Sequence, residues 1–265
     1  MTTRELDDAR ASLLDALRGR ADPAATRARA MVERGRAPRV MVVGRRGSGR
    51  SVLLAALGRC VEGALWIDPR RAVSVVEPAG WRGADHAEAL KDGVARARAF
   101  APDAVLLAIP ATEADAGVDD DLDDAAKVIG AIRPRPALVV ALTRSDEAAP
   151  PDAATPPWDD DTRASIARAV ATAKEHLARK KLRADAVVPV SARVEVSGGE
   201  TLDLRWNLDA LRAALVDALW RRLPGPAARA EELADALRRA GLEVDLSESE
   251  RRALATPWGW FGVAT

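Results

Sequence analysis

The chain has 265 residues, 48% of them hydrophobic and 30% charged, which is enough apolar material to enclose a sizeable core. Basic and acidic residues balance at 40 each, so the basic excess of a nucleic-acid binder is missing, and no run of about 20 apolar residues is present to cross a bilayer. A single cysteine, Cys60, excludes an internal disulfide, and residues 1–20 are dotted with charge where a secretory leader is apolar, so the expected location is cytoplasmic.

Leu6, Leu13, Leu14 and Leu17 share one helical face, and Asp22-Pro23 suits the cap and first turn of a second helix. Residues 1–36 therefore read as an N-terminal helical extension. Residues 39–43 form a Val-rich run that enters a Gly-rich turn, the pattern of a buried parallel strand feeding a helix at 51–59. Cys60 follows in an apolar-rich stretch and is expected in the core. Further strands are expected at 64–68, 72–77, 104–109, 137–142 and 186–190, and helices at 84–100, 122–132, 160–181 and 208–222.

Such alternation predicts an α/β fold, a mostly parallel sheet with helices on both faces. Only Pro69-Arg70-Arg71 joins the strands at 64–68 and 72–77, so that pair must be a hairpin and supplies one antiparallel edge strand. Residues 147–158 are rich in Pro and Ala and read as an excursion before a long helix. Pro224-Gly225-Pro226 closes a domain spanning 37–223. The appendage at 224–265 holds a helix stopped by Gly241, a second helix opened by the capping-box pair Ser247 and Glu250, and a tail with Trp258, Trp260 and Phe261. Those aromatics either pack back over the domain or anchor a partner protein.

After the first strand comes Gly44-Arg45-Arg46-Gly47-Ser48-Gly49-Arg50-Ser51, which fits GxxxxGK[ST] except that Arg50 replaces Lys. The glycines let successive N–H groups turn inward onto phosphate oxygens, and the helix that follows points its positive end at the same anion. Arg50 keeps the charge, but a planar guanidinium is bulkier than an ammonium, so binding is expected to be weakened. The Ser51 hydroxyl is the candidate Mg2+ ligand.

Three later segments complete a resemblance to the Ras-like and Era-like P-loop GTPases, covering roughly residues 38–222. Glu77-Pro78-Ala79-Gly80 resembles the DxxG element with Glu in place of Asp, Thr143-Arg144-Ser145-Asp146 resembles NKxD, and residues 188–193 (VPVSAR) resemble VPxSAK. Each follows a predicted strand, at the edge where open α/β sheets bind ligands. The resemblance implies guanine selection by the Asp146 carboxylate, Arg144 along the base, and the guanine oxygen met by the backbone of Ser191 and Ala192, with Arg193 ending that loop. It also implies Mg2+ carried with GTP or GDP, bound by Ser51 and Glu77, and Gly80 among the nucleotide-binding residues.

The sequence departs from that family in ways that bear on catalysis. Residues 52–111 contain no Thr to close over Mg2+, and only residues 60–63 separate the first helix from the next strand, too few for an ordinary first switch. Trp81 stands where Ras-like proteins place the Gln that orients water. His86 and His176 have no metal-ligand spacing and read as helix-surface residues. Asp119, Asp120, Asp121, Asp123 and Asp124, with Asp159, Asp160 and Asp161, fall at helix starts, where they complement the helix dipole.

Two readings follow. In one, the domain binds guanine nucleotide weakly, hydrolyses it slowly or not at all, and engages another protein through its helical extensions or tail. In the other, a pseudo-GTPase keeps the fold as an interaction module without nucleotide. An active GTPase with an unorthodox site is the third alternative.

Overall fold

The computed structural model describes residues 3–34, 38–61, 64–68, 71–113, 118–148, 156–197, 200–222 and 226–255. Two compact units emerge, one of residues 39–67 and 75–222, the other of both chain ends with residues 68–74.

Chain order in the larger unit begins with β1 (Arg39–Val43) and α3 (Arg50–Leu57), after two helices, α1 (Thr3–Ala16) and α2 (Pro23–Arg34), that belong to the other unit. Then come β2 (Arg59–Val61), β3 (Ala64–Asp68), β4 (Arg71–Val76, whose residues 71–74 are grouped with the other unit), α4 (His86–Phe100), β5 (Ala104–Pro110), α5 (Val118–Gly130) and β6 (Ala137–Thr143). The unit ends with α6 (Asp160–Arg179), β7 (Ala186–Pro189), β8 (Val194–Ser197), β9 (Glu200–Asp203) and α7 (Leu208–Arg222).

The seven-stranded sheet runs β2-β3-β4-β1-β5-β6-β7. β1 pairs in parallel with β5 from Val40 opposite Ala104, β5 with β6 from Ala104 opposite Ala137, and β6 with β7 from Val139 opposite Ala186. Every residue of β5 and β6 is buried, as continuous apolar runs in a sheet covered on both faces must be. Met41, Val43, Val105, Leu107, Leu122, Val128, Val140 and Leu177 lie in one core beneath α4, α5 and α6.

The mostly parallel sheet expected from the sequence is present, but its antiparallel edge is one strand wider. β2 pairs antiparallel with β3, Arg59 opposite Trp66, and takes the outer position. Only Gly58 separates the end of α3 from the start of β2 at Arg59, so the span that would carry a first switch is drawn into the sheet. Arg212 of α7 donates to the Ala56 and Leu57 carbonyls at 2.8 and 2.6 Å and caps the last turn of α3. A second departure is the β8–β9 hairpin, Val194 opposite Asp203, which forms its own two-stranded sheet.

The other unit gathers α1 and α2 with α8 (Pro226–Arg239) and α9 (Glu248–Ala255) around Leu13, Leu17, Ala28, Val32, Leu233, Leu237 and Leu254. Helices from opposite chain ends thus share one core. Arg27 of α2 donates to Glu232 of α8, and Arg20 to the Ala240 carbonyl at 2.5 Å. Local signals behave as the sequence indicates: Asp22 accepts from Ala25 N–H at 2.7 Å, Gly241 closes α8 at φ 68, and Ser247 and Glu250 exchange capping-box bonds.

Among the described residues, no helix is long and apolar enough to cross a membrane. The tail with Trp258, Trp260 and Phe261, residues 149–155 of the Pro-rich stretch and the Cys60 side chain lie outside what is described.

Candidate functional site

The site grows from the carboxyl ends of β1, β4, β6 and β7. β1 runs directly into Gly44, and the turn closes at Gly49, whose left-handed backbone (φ 82, ψ 13) precedes α3. A side chain is costly in that conformation, which is why glycine stands there. No side chain caps α3, and its first helical bond runs from Leu53 N–H to Gly49, leaving the preceding amides outside the helical ladder. That is the electropositive helix start a phosphate seeks.

The loop's two leading arginines take different paths. Arg45 enters a cluster around the buried Asp121, in which its guanidinium pairs with Glu113 and lies 3.7 Å from Asp121, while Arg82 meets the other Asp121 oxygen at 3.2 Å. Burial pushes the Arg45 pKa down, against the pull of Asp121, and the Asp121 pKa up, against Arg82 and Arg45. Arg46 keeps its side chain in solvent, but its backbone N–H donates to the Trp81 carbonyl at 2.8 Å. Ser48 is buried and accepts from the Thr143 hydroxyl at 2.6 Å through its carbonyl.

Arg50 donates to the Pro78 carbonyl at 2.8 Å and lies 3.7 Å from Glu77, with its pKa lowered by burial against the pull of Glu77. Ser51 donates to the same Glu77 carboxylate at 2.9 Å. Gly80 is packed so closely that a β-carbon would sit 2.7 Å from the Arg46 nitrogen, and only glycine permits that approach.

On the other side of the site, β6 ends in Thr143, and Arg144 takes a left-handed backbone (φ 57) before the turn Ser145–Ala148. Ser145 N–H donates to the Val190 carbonyl at 3.1 Å, tying this loop to the one after β7. The Asp146 side chain is only 5% exposed; one oxygen lies 3.6 Å from Arg193, and the other has no hydrogen-bond partner among the described residues. The buried Ser191 hydroxyl is likewise unpartnered there. Arg144 turns to Glu147 at 3.5 Å, Ala192 is half-buried, and Arg193 is exposed.

Thr143 and Ser48 therefore bring the two halves of the predicted site together. Replacing the hydroxyl while keeping the shape, Thr143→Val, leaves the Ser48 carbonyl without its donor. It is expected to cost about 1–3 kcal/mol in urea unfolding monitored on the larger unit.

Several contributors carried weaker sequence signals. Trp206 exchanges backbone bonds with Ser191 at 3.2 and 2.9 Å and packs edge-on to Trp158 with centroids 6.2 Å apart. Asn207 donates to the Pro189 carbonyl at 2.8 Å. It stands just before α7 with a left-handed backbone (φ 60), a conformation that Asn tolerates better than most residues. The acids of α5 do more than complement a dipole: Asp121 and Asp124 are buried, and Asp124 holds His86 at 2.6 Å and Lys127 at 3.0 Å. His176 meets Asp119 at 2.7 Å. Asp159 caps α6, accepting from Thr162 N–H at 2.7 Å. Among the described residues, no group of three or more His, Cys, Asp or Glu is arranged to hold a metal ion.

No protein-family model and no curated protein matches this sequence. Solved structures do resemble it. A GTP-binding protein from the archaeon Sulfolobus solfataricus in complex with GDP superposes with TM-score 0.51 at 16% identity, over 74% of this chain and 56% of that one. Elongation factor SelB from Methanococcus maripaludis gives 0.47 at 16% identity, over 69% of this chain and 33% of its own. The G domain of the T. maritima FeoB iron transporter gives 0.40 at 14%, over 68% of this chain and 98% of its own. The chain thus spans little more than half the length of the archaeal GTP-binding protein. Together, the strand order, the phosphate-loop turn and the first of these likenesses give this chain the fold of a P-loop GTPase domain.

Proposed function

We propose that the larger unit binds a guanine nucleotide, does not hydrolyse it at a useful rate, and acts as a binding or regulatory module. The observation that carries this reading is the buried Asp146 oxygen without a donor among the described residues. A desolvated carboxylate oxygen left unpaired is costly, and the N1–H and amino group of guanine are the donors that would satisfy it. Adenine offers no such pair. The Thr143 bond to Ser48 holds this carboxylate in register with the uncapped start of α3, where the phosphates would lie.

Ser51 and Glu77 fit Mg2+ only as it usually binds nucleotides, with one or two protein oxygens and the rest from phosphate and water. The ion would neutralise phosphate charge. Ser51 would contribute its hydroxyl, and Glu77 would release that hydroxyl to accept the ion. The engaged Arg50 favours a second reading, an interaction module that holds no nucleotide, because the loop's cation is already partnered within the protein.

Asp146→Asn separates the two readings. The amide can donate to the second carbonyl of xanthine, whereas it loses the charged acceptor for guanine. GDP affinity is expected to fall roughly 10- to 100-fold and xanthosine diphosphate to gain, measured by fluorescent-nucleotide competition. Unchanged GDP binding in the variant removes Asp146 from base selection, and no nucleotide binding by either protein leaves the module reading.

A further inference from the structure

Residues 77–81 lie docked against the phosphate loop through one anchor after another. The Arg46 N–H donates to the Trp81 carbonyl at 2.8 Å, Arg50 to the Pro78 carbonyl at 2.8 Å, and Ser51 to the Glu77 carboxylate at 2.9 Å. Arg45 and Trp81 continue the contact as a parallel bridge. At Gly80 the approach is so tight that a β-carbon would stand 2.7 Å from both the Arg46 nitrogen and an Arg50 guanidinium nitrogen. Below it the Trp81 indole is 1% exposed and belongs to the core that holds Met41, Ile109 and Leu122. The segment is fixed at its base as well as along its length.

A phosphate loop of this type cradles the first two phosphates with backbone amides, and its conserved cation reaches the second and third. Here that cation is turned onto the Pro78 carbonyl, and Glu77 sits beside it. The loop's other inward-turned cation, Arg45, is already paired with Glu113 and Asp121. A third phosphate would bring about one further negative charge to a flank where Arg45 and Arg50 are engaged and a carboxylate is present. From this geometry we infer that the site takes a nucleoside diphosphate and excludes the triphosphate, with Arg50 as the residue that bolts residues 77–81 over the third-phosphate position. The inference rests on the nucleotide-binding reading above, and it names the ligand class and the selectivity residue of that site. Its consequence is a domain whose shape does not report the presence of a terminal phosphate.

The test is calorimetric titration of the full chain with GDP, GTP, pyrophosphate and tripolyphosphate, each with Mg2+, repeated on Arg50→Lys. GDP is expected to bind more than about tenfold tighter than GTP, and pyrophosphate similarly tighter than tripolyphosphate. In Arg50→Lys, where the bond to Pro78 is lost and an ammonium is free to reach phosphate, both ratios are expected to narrow to about threefold or less. GTP binding as tightly as GDP overturns the inference, and so does a ratio that Arg50→Lys leaves unchanged. Pyrophosphate favoured over tripolyphosphate, with no gain in affinity from the guanosine of GDP, sinks the base assignment and leaves this inference standing. Absence of binding by all four sinks both. Should Arg50→Lys not fold, hydrogen exchange on the natural protein decides. The Arg46 amide is expected to stay protected when GDP is added, and deprotection by GDP contradicts the docked loop.

Discussion

Purified protein given GTP and Mg2+ is expected to release phosphate no faster than about 10⁻⁴ per second, the intrinsic level of GTPases that await an activator. Hydrolysis needs a water held in line with the terminal phosphate, a correctly placed Mg2+ and donors for the charge that develops. At the position that orients water in Ras-like proteins, Trp81 has no side-chain acceptor, its indole is buried, and its carbonyl is already taken by Arg46. Glu77 is one methylene longer than the usual Asp and accepts from Ser51, so Mg2+ must displace that bond before it can bind both residues. No Thr occurs in residues 52–111 to seal the site, and β2 occupies the span from which a switch would close. Each loss of a preorganised group costs roughly 10²- to 10³-fold in rate. Turnover of about one per second or faster, abolished by Ser51→Ala, would require a catalytic group outside this account.

Trp81→Ala is expected to destabilise the larger unit by about 3–5 kcal/mol, the usual cost of deleting a fully buried large aromatic. Among the described residues Trp81 is the largest fully buried side chain, and it packs in one core with residues of β1, β5 and α5. Its removal opens a cavity beneath residues 77–80 and frees the strand-like contact with Arg45. For a unit of this size, the melting temperature should fall by roughly 6–20 °C. Circular dichroism and calorimetry measure the shift, and a loss below about 1 kcal/mol would mean that the indole does not carry the loop.

The parallel strands were legible because their chemistry is local. Residues 104–109 and 137–142 are unbroken apolar runs, which suit a sheet covered on both faces. β2 was not legible: Arg59, Cys60 and Val61 form too short a run, and their strand exists because β3 offers an edge. The β8–β9 hairpin was legible and missed. Val194 and Val196 alternate with Glu195 ahead of Gly198-Gly199, a pattern that signals a tight hairpin. The shared core of the terminal helices left no local trace, since Arg27 and Glu232 meet across 205 residues.

In the site, spacing located the loops but did not determine where their side chains point. The pattern of residues 44–51 puts a cation at position 50, while its partner, the Pro78 carbonyl, is fixed only by tertiary structure. Thr143 was visible as the first residue of an NKxD-like element, whereas its bond to Ser48 depends on β1 and β6 both flanking β5. The burial of Asp121 within an acidic run was equally hidden, because charge at a helix start ordinarily faces water.

The claim on which the rest depends is that this fold holds a guanine nucleotide through Asp146. Equilibrium competition on the full chain, with labelled GDP displaced by unlabelled GDP or ADP, tests it most directly. The account predicts that GDP displaces the label more than about tenfold better than ADP. Equal displacement by the two, or no binding of labelled GDP, would contradict it.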